Sequence, residues 1–202
     1  MKKLIIPLLL AIYLLSTSSS CKKTPVTEFN KEFPNTSGTW WKYKVYDSVT
    51  STLDTITIYV LGNSKLDDGT DVKIWQINSL NSYKPVDTNY VYSDSDGIKF
   101  YYNKSIQSFY KAYKFPLEVG KYWIGVQTND TNRVINKGDI TVPAGTFIDN
   151  YIIERRVRYI PNGSLYEKEY FLPNIGVITR VHQAFISWPF SQYWELVAYS
   201  IK

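Results

Sequence analysis

Few side chains in this chain of 202 residues could do chemistry, and their types narrow the choice at once. There is one histidine, His182, and one cysteine, Cys21, which the N-terminal pattern described below assigns to lipid attachment, so no Cys-His pair is expected, a single histidine makes no His-based metal cluster, and no Gly-x-Ser-x-Gly elbow occurs. The nearest thing to a catalytic pair is Glu167 and Glu169. In an extended strand they would stand roughly 6.5 to 7 Å apart on one face, within the range of an inverting glycosidase pair. A glycosidase acid needs a raised pKa, however, and arginines close by in the sequence (Arg155, Arg156, Arg158) would lower it instead. The expectation is that the chain is not an enzyme and carries no catalytic residue, metal or cofactor. His182 reads as a surface strand residue.

The element that positions these carboxylates is a hairpin. Two strand-like runs meet at Pro161-Asn162-Gly163-Ser164, and Asn-Gly between alternating apolar runs favours a two-residue type I′ turn. A turn centred on Asn162 and Gly163 predicts Ile160 opposite Leu165, Tyr159 opposite Tyr166, Arg158 opposite Glu167 and Arg156 opposite Glu169. One face then collects opposed charges in water. The other collects Tyr151, Ile153, Val157, Tyr159, Tyr166, Tyr170 and Leu172 as a packed face.

The rest of the chain follows the same period of two. Trp41, Tyr43 and Val45 alternate with Lys42 and Lys44, and Ile56, Ile58 and Val60 alternate with Thr55, Thr57 and Tyr59. Further strands are predicted at Val72 to Ile77, Tyr90 to Tyr92, Ile98 to Tyr102, Trp123 to Val126, Ile135 to Val142, Val177 to Ala184 and Tyr193 to Ile201. Residues 104 to 115 fit helical and strand spacing alike, and their aromatic content favours a strand. Asp94-Ser95-Asp96-Gly97 lacks the acids of a calcium loop at Tyr92 and Asn103, so it reads as a hairpin turn. The pattern Phe-Pro-x3-Gly-x2-Trp occurs twice, at Phe33 to Trp41 and at Phe115 to Trp123, 82 residues apart. It predicts a repeated device in which Pro ends one element, Gly permits the turn and Trp begins the next strand.

Eighteen tyrosines, nine phenylalanines and six tryptophans against a single methionine are the composition of sheets. The predicted fold is all-β, with a single domain over residues 38–202. A net charge of +5, to which Lys2 and Lys3 contribute, is too mild to argue for nucleic acid. No confident amphipathic helix is available to cover the apolar faces, so the antiparallel sheet should curl strongly into a half-barrel or barrel. A mouth left incompletely closed would be a groove for an apolar ligand or a partner segment, with Tyr151, Tyr159, Tyr170 and Trp123 as its candidate lining.

The N-terminus carries an address. Met1-Lys2-Lys3 is a positive n-region, Leu4 to Leu15 an apolar run too short to span a bilayer, and Ser16 to Ser20 a run of small residues before Cys21. Residues 1–20 thus resemble a bacterial lipoprotein signal, in which Cys21 becomes the acylated first residue; Ser18 stands where Leu is commonest. A plain secretory signal is the alternative. Residues 21–37 read as a polar tether. On the lipoprotein analogy, Lys22 and Lys23 lack the Asp of inner-membrane retention, which points to the outer membrane.

Val142-Pro143-Ala144-Gly145-Thr146-Phe147, then Tyr170-Phe171-Leu172-Pro173-Asn174-Ile175-Gly176-Val177, and a closing Trp194-Glu195-Leu196-Val197-Ala198-Tyr199 resemble the corners and last strand of uncharacterised Bacteroidetes envelope lipoproteins. These are similar to the DUF3108 group and more distantly to the half-barrels of LolA and LolB. The chain departs from that pattern at Asn150, where relatives place Cys, and at Asn174, where they place Gly. The resemblance implies a curved antiparallel sheet and transfers no catalytic residue. It also lends meaning to Asp47-Ser48-Val49 and Asp54-Thr55-Ile56, which are similar to the O-glycan acceptor sequence of exported proteins in that phylum and make Ser48 and Thr55 candidate acceptors. Two functions are compatible with the sequence: a lipid-anchored, non-catalytic ligand carrier, or a structural, glycan-contacting lipoprotein presenting Trp40, Trp41, Trp188 and Trp194 as a platform.

Overall fold

A computed structural model of the chain describes residues 33–81, 86–125, 130–158, 163–185 and 189–202. The signal segment, Cys21, Tyr159, Asn162 and Trp188 lie outside them. Twelve strands form one antiparallel sheet: β1 (Trp40–Asp47), β2 (Thr52–Lys65), β3 (Asp71–Ser79), β4 (Val86–Asp94), β5 (Gly97–Tyr101), β6 (Phe109–Lys114), β7 (Tyr122–Ile124), β8 (Asp130–Val142), β9 (Gly145–Arg158), β10 (Ser164–Leu172), β11 (Gly176–Phe185) and β12 (Phe190–Ser200). The ambiguous stretch resolves into a single 3-10 turn at Ile106–Ser108 followed by β6. At Asp94 the carboxylate accepts from the backbone N–H groups of Asp96 and Gly97, which makes the expected hairpin turn.

The strand order is β6-β5-β4-β3-β2-β1-β12-β11-β10-β9-β8-β7. Two six-stranded meanders are therefore joined where the first strand pairs with the last. The sheet curls until its two edges, β6 and β7, face each other, giving a barrel that is nearly closed. On β1 the alternation holds residue by residue: Trp41, Tyr43 and Val45 are buried, and Lys42, Lys44 and Tyr46 are exposed. One aromatic-rich core fills the interior, from Phe33 and Trp41 through Trp75, Phe100 and Tyr113 to Phe171 and Leu196. Phe33, ahead of the first strand, is already part of the core, stacked on the rings of Trp75 and Phe171.

The two Phe-Pro-x3-Gly-x2-Trp segments are built alike. Gly38 and Gly120 take φ of +89° and +90°, a region open to glycine and costly for other residues. Each glycine N–H donates 2.8 Å to the carbonyl of a buried valine, Val60 or Val134. Each valine N–H returns a 2.9 Å bond to the residue after the glycine, Thr39 or Lys121. In both copies the Phe and the Trp are buried.

The central hairpin exists, but its register differs from the expected one. Arg158 pairs with Ser164, Val157 with Leu165, Arg156 with Tyr166 and Arg155 with Glu167. Five residues separate the strands where a two-residue turn was expected. The slip is three places, an odd number, so the faces of β10 are exchanged. Ile153 and Val157 point inward and Arg156 and Arg158 outward as expected, but Glu167, Glu169 and Phe171 line the interior while Tyr166 and Tyr170 face out.

Candidate functional site

On β10, Glu167 and Glu169 are 4% and 2% exposed inside the barrel. Bare carboxylates there would be untenable, and three cations answer them. From β9, Arg155 lies directly across from Glu167 and donates Nη1 to it at 3.3 Å, while its Nε and Nη2 hold Asp130 at 3.0 and 2.9 Å. From β11, Arg180 lies across from Glu169 and donates Nε at 2.6 Å. From β6, on the far edge of the sheet, Lys111 reaches over the interior to Glu167 at 3.1 Å and Glu169 at 2.7 Å. Tyr113, also on β6, donates its hydroxyl to Glu169 at 2.6 Å. His182 stands across from Glu167, with Nε2 3.7 Å from Oε1.

The electrostatics follow from these contacts. Burial alone would raise both glutamates, but Lys111 and Arg180 outweigh it and hold Glu167 and Glu169 below the ordinary carboxylate range. Burial, with Arg180 and Lys111 nearby, pushes His182 down to about 4 against the pull of Glu167, so the imidazole is neutral near pH 7. Burial also raises the Tyr43, Tyr110 and Tyr113 hydroxyls well above their usual value. The arrangement keeps its carboxylates ionised. It can neither donate a proton from Glu167 or Glu169 near neutrality nor offer them as bases free of strong partners.

Beside this cluster lies a cavity of about 170 Å³. Its walls are aromatic, with Phe33, Trp41, Trp75, Phe100, Tyr113 and Phe171 among them, and Lys111, Glu167, Arg180 and His182 form a polar floor. Asn89 on β4 also lines it. Its Nδ2 donates to the Tyr110 hydroxyl at 2.8 Å, and its Oδ1 is buried with no hydrogen-bond partner.

The sequence placed the lining elsewhere, and the structure corrects it. Trp123 is buried with its indole N–H on the Ala112 carbonyl at 3.1 Å, away from the cavity. Tyr170 lies on the outer face, its ring over Gly138. Tyr151 sits at the margin of the core, with the Lys137 ammonium 4.4 Å from its ring centre. Tyr159 is outside the described residues. His182 is not a surface residue but part of the cavity floor. Among the described residues the tryptophans form no platform: Trp41 and Trp194 point inward and line the cavity, while Trp40 alternates outward. Ser48 is exposed in the β1–β2 turn, whereas Thr55 is half-buried within β2. What sequence reasoning missed was Lys111, Arg180, Asp130 and Asn89. One signal was available for Lys111, a lone cation in a stretch whose neighbours Phe109, Tyr110 and Tyr113 are aromatic.

Two solved structures share this fold. One is a candidate lipoprotein of Parabacteroides distasonis, with a TM-score of 0.51 at 16% identity, covering 83% of this chain and 97% of that one. The other is a candidate exported protein of Bacteroides fragilis with a YmcC-like fold, with a TM-score of 0.50 at 12% identity, covering 83% and 98%. No family model and no curated protein matches the chain. At these identities the likeness is one of architecture.

Proposed function

We propose that this chain is a non-catalytic lipoprotein of the bacterial cell envelope, anchored in the outer membrane through acylated Cys21, whose barrel holds a small amphipathic ligand. The observation that carries the ligand reading is the cavity itself: an aromatic wall meeting a polar floor inside an all-β shell. Binding sites of small molecules are mostly apolar pockets with a few placed polar groups, which is this pattern. The non-catalytic reading is supported by the clamped state of Glu167 and Glu169. Envelope location is supported by the signal pattern before Cys21, by corner motifs that resemble those of Bacteroidetes lipoproteins and by the two neighbours in fold. Ser48, the more exposed of the two acceptor sequences, is the better candidate for an O-glycan.

Two experiments test the reading. Metabolic labelling with a fatty-acid analogue should mark the wild type and not Cys21→Ala; label on both, or on neither, removes the anchor. Toluene should shift the fluorescence of the wall tryptophans Trp41, Trp75 and Trp194 in the wild type. In Ile77→Phe, where the larger ring fills the cavity, that shift should vanish with the circular-dichroism spectrum unchanged. No shift in the wild type, or the same shift in both, removes the ligand.

A further inference from the structure

The volume, charge balance and hydrogen-bond inventory of the cavity narrow what it can take, granted that it takes a ligand at all, as proposed above. A dry apolar cavity of about 150 Å³ holds one benzene, so a space of about 170 Å³ suits one compact ring system and not a fatty-acyl chain. The walls favour a flat occupant. Trp41 packs on Trp75 at 4.8 Å and a tilt of 32°, and Trp75 meets Phe100 edge-on at 87°, so the three rings make one continuous aromatic wall against which a ring can lie.

Charge is the second filter. Lys111, Arg155 and Arg180 are matched by Asp130, Glu167 and Glu169, each cation within 3.3 Å of a carboxylate. An ionic ligand would enter a cluster already neutral and would meet a like charge for every opposite one. The third filter is Asn89. It pairs with Trp75 across β3 and β4, so both side chains face the cavity, and it is 7% exposed with Oδ1 unpartnered. A buried acceptor left unmade is costly, and a donor brought by the occupant removes that cost. We infer that the occupant is a neutral planar ring carrying one N–H or O–H donor, seated among Trp41, Trp75 and Phe100 with its donor on Asn89 Oδ1.

The test compares isosteres. The full chain, carrying 5-fluorotryptophan and held in lipid nanodiscs, is titrated with indole, benzofuran, benzoate and benzylammonium and followed by fluorine NMR. Indole and benzofuran have nearly the same shape and differ in the N–H. Indole should bind about threefold to tenfold more tightly, the effect of one net hydrogen bond, and neither ion should bind. In Asn89→Leu the two neutral rings should bind alike. Equal affinities in the wild type, a preference for benzofuran, or an ion binding as well as indole overturns the inference while leaving a ring-binding cavity. If no ring binds, the cavity reading itself falls and the inference with it. The wild-type ratio decides even if Asn89→Leu does not fold.

Discussion

The barrel has two seams, and they are held by different physics. Because the two halves are meanders of the same strand order, the junction of β12 with β1 corresponds in topology to the junction of β6 with β7. The first is zipped by a backbone ladder running from Trp40 opposite Ser200 to Asp47 opposite Gln192, packed from inside by Trp41, Val45 and Leu196. Among the described residues the second has no ladder: β6 and β7 are the two ends of the sheet. Side chains close it instead. The Trp123 indole and Arg155 guanidinium cap the Ala112 and Tyr110 carbonyls on the edge of β6, and Lys111 and Tyr113 cross the interior to Glu167 and Glu169. Free strand edges are a hazard, and here the exposed carbonyls are occupied from within the same molecule. The buried ion cluster is thus first of all a clasp, and the cavity occupies the space the clasp leaves.

The two seams should differ most in their response to substitution at Lys111. Substitution by Met leaves two ionised glutamates with one cation fewer, a loss of about 3–5 kcal/mol when a buried pair is broken. Leu196→Ala, in the zipped seam, should cost a comparable 2–5 kcal/mol through a cavity in the core. The two are told apart by amide exchange: Lys111→Met should speed exchange in β6 while sparing β1 and β12, and Leu196→Ala the reverse. Equal loosening of both seams by Lys111→Met would show that the cluster is not a clasp.

Acid gives the next largest effect, and it too belongs to the open seam. His182 is held neutral down to about 4 in the fold, against 6.5 in the unfolded chain. Between those values the unfolded state binds the extra proton, so stability is full above 6.5 and falls as pH drops towards 4, by up to about 3 kcal/mol. Glu167 and Glu169 are held low, so their contribution is present above about 4.5 and is lost only at still lower pH. His182→Gln should flatten denaturation midpoints between pH 6.5 and 4 and leave the loss below that range. A wild type whose stability does not change between pH 7 and 5 would contradict the buried neutral imidazole.

The zipped seam and the strands were readable from the sequence because their signals are local. Trp41, Tyr43 and Val45 alternate with lysines, and Asp94, Gly97 and Gly176 mark their turns whatever lies beyond. The repeated Phe-Pro-x3-Gly-x2-Trp was legible for the same reason. The clasp was not, because its logic is non-local. Glu167 meets Lys111 across 56 positions in the chain, and nothing near Glu167 shows that a lysine from another strand will neutralise it. Local reasoning put the carboxylates in water, and the Asn-Gly signal agreed with that choice. Both pointed to a register three places away from the one that buries Glu167 and Glu169 and still matches them with Arg155 and Arg180. The cavity was missed with them, since its floor is the clasp.

The equivalence of the halves is sharpened by their two glycines. Gly38 and Gly120 share φ near +90°, the same donor bond and the same returning valine, one beside the zipped seam and one beside the open seam. A Cβ on Gly120 would meet nothing within 4 Å, and one on Gly38 only the Lys202 side chain at an ordinary 3.5 Å. Alanine should therefore cost backbone strain and little else, about 1–3 kcal/mol at either place. Matching losses in denaturation midpoints would show one device used twice; a loss at Gly38 alone would mean that the open seam relaxes around the substitution.

The smallest effect lies on the outer wall, where the same kinds of residue meet water. Arg156 and Glu154 form an ion pair at 3.2 Å, with the arginine side chain 67% exposed. It differs from Arg155 and Glu167, one position away on β9 and on the facing strand, chiefly in which side of the sheet it occupies. A double-mutant cycle of Arg156→Ala and Glu154→Ala should return about 0.2–1 kcal/mol and fade with salt, as exposed pairs do. Its interior counterpart, Arg155→Met with Glu167→Gln, should return several times more and hold at high salt, because the charges are shielded from mobile ions. Were the exterior pair the stronger, or the interior pair salt-sensitive, Glu167 would not be inside the barrel, and the register that places it there would be wrong.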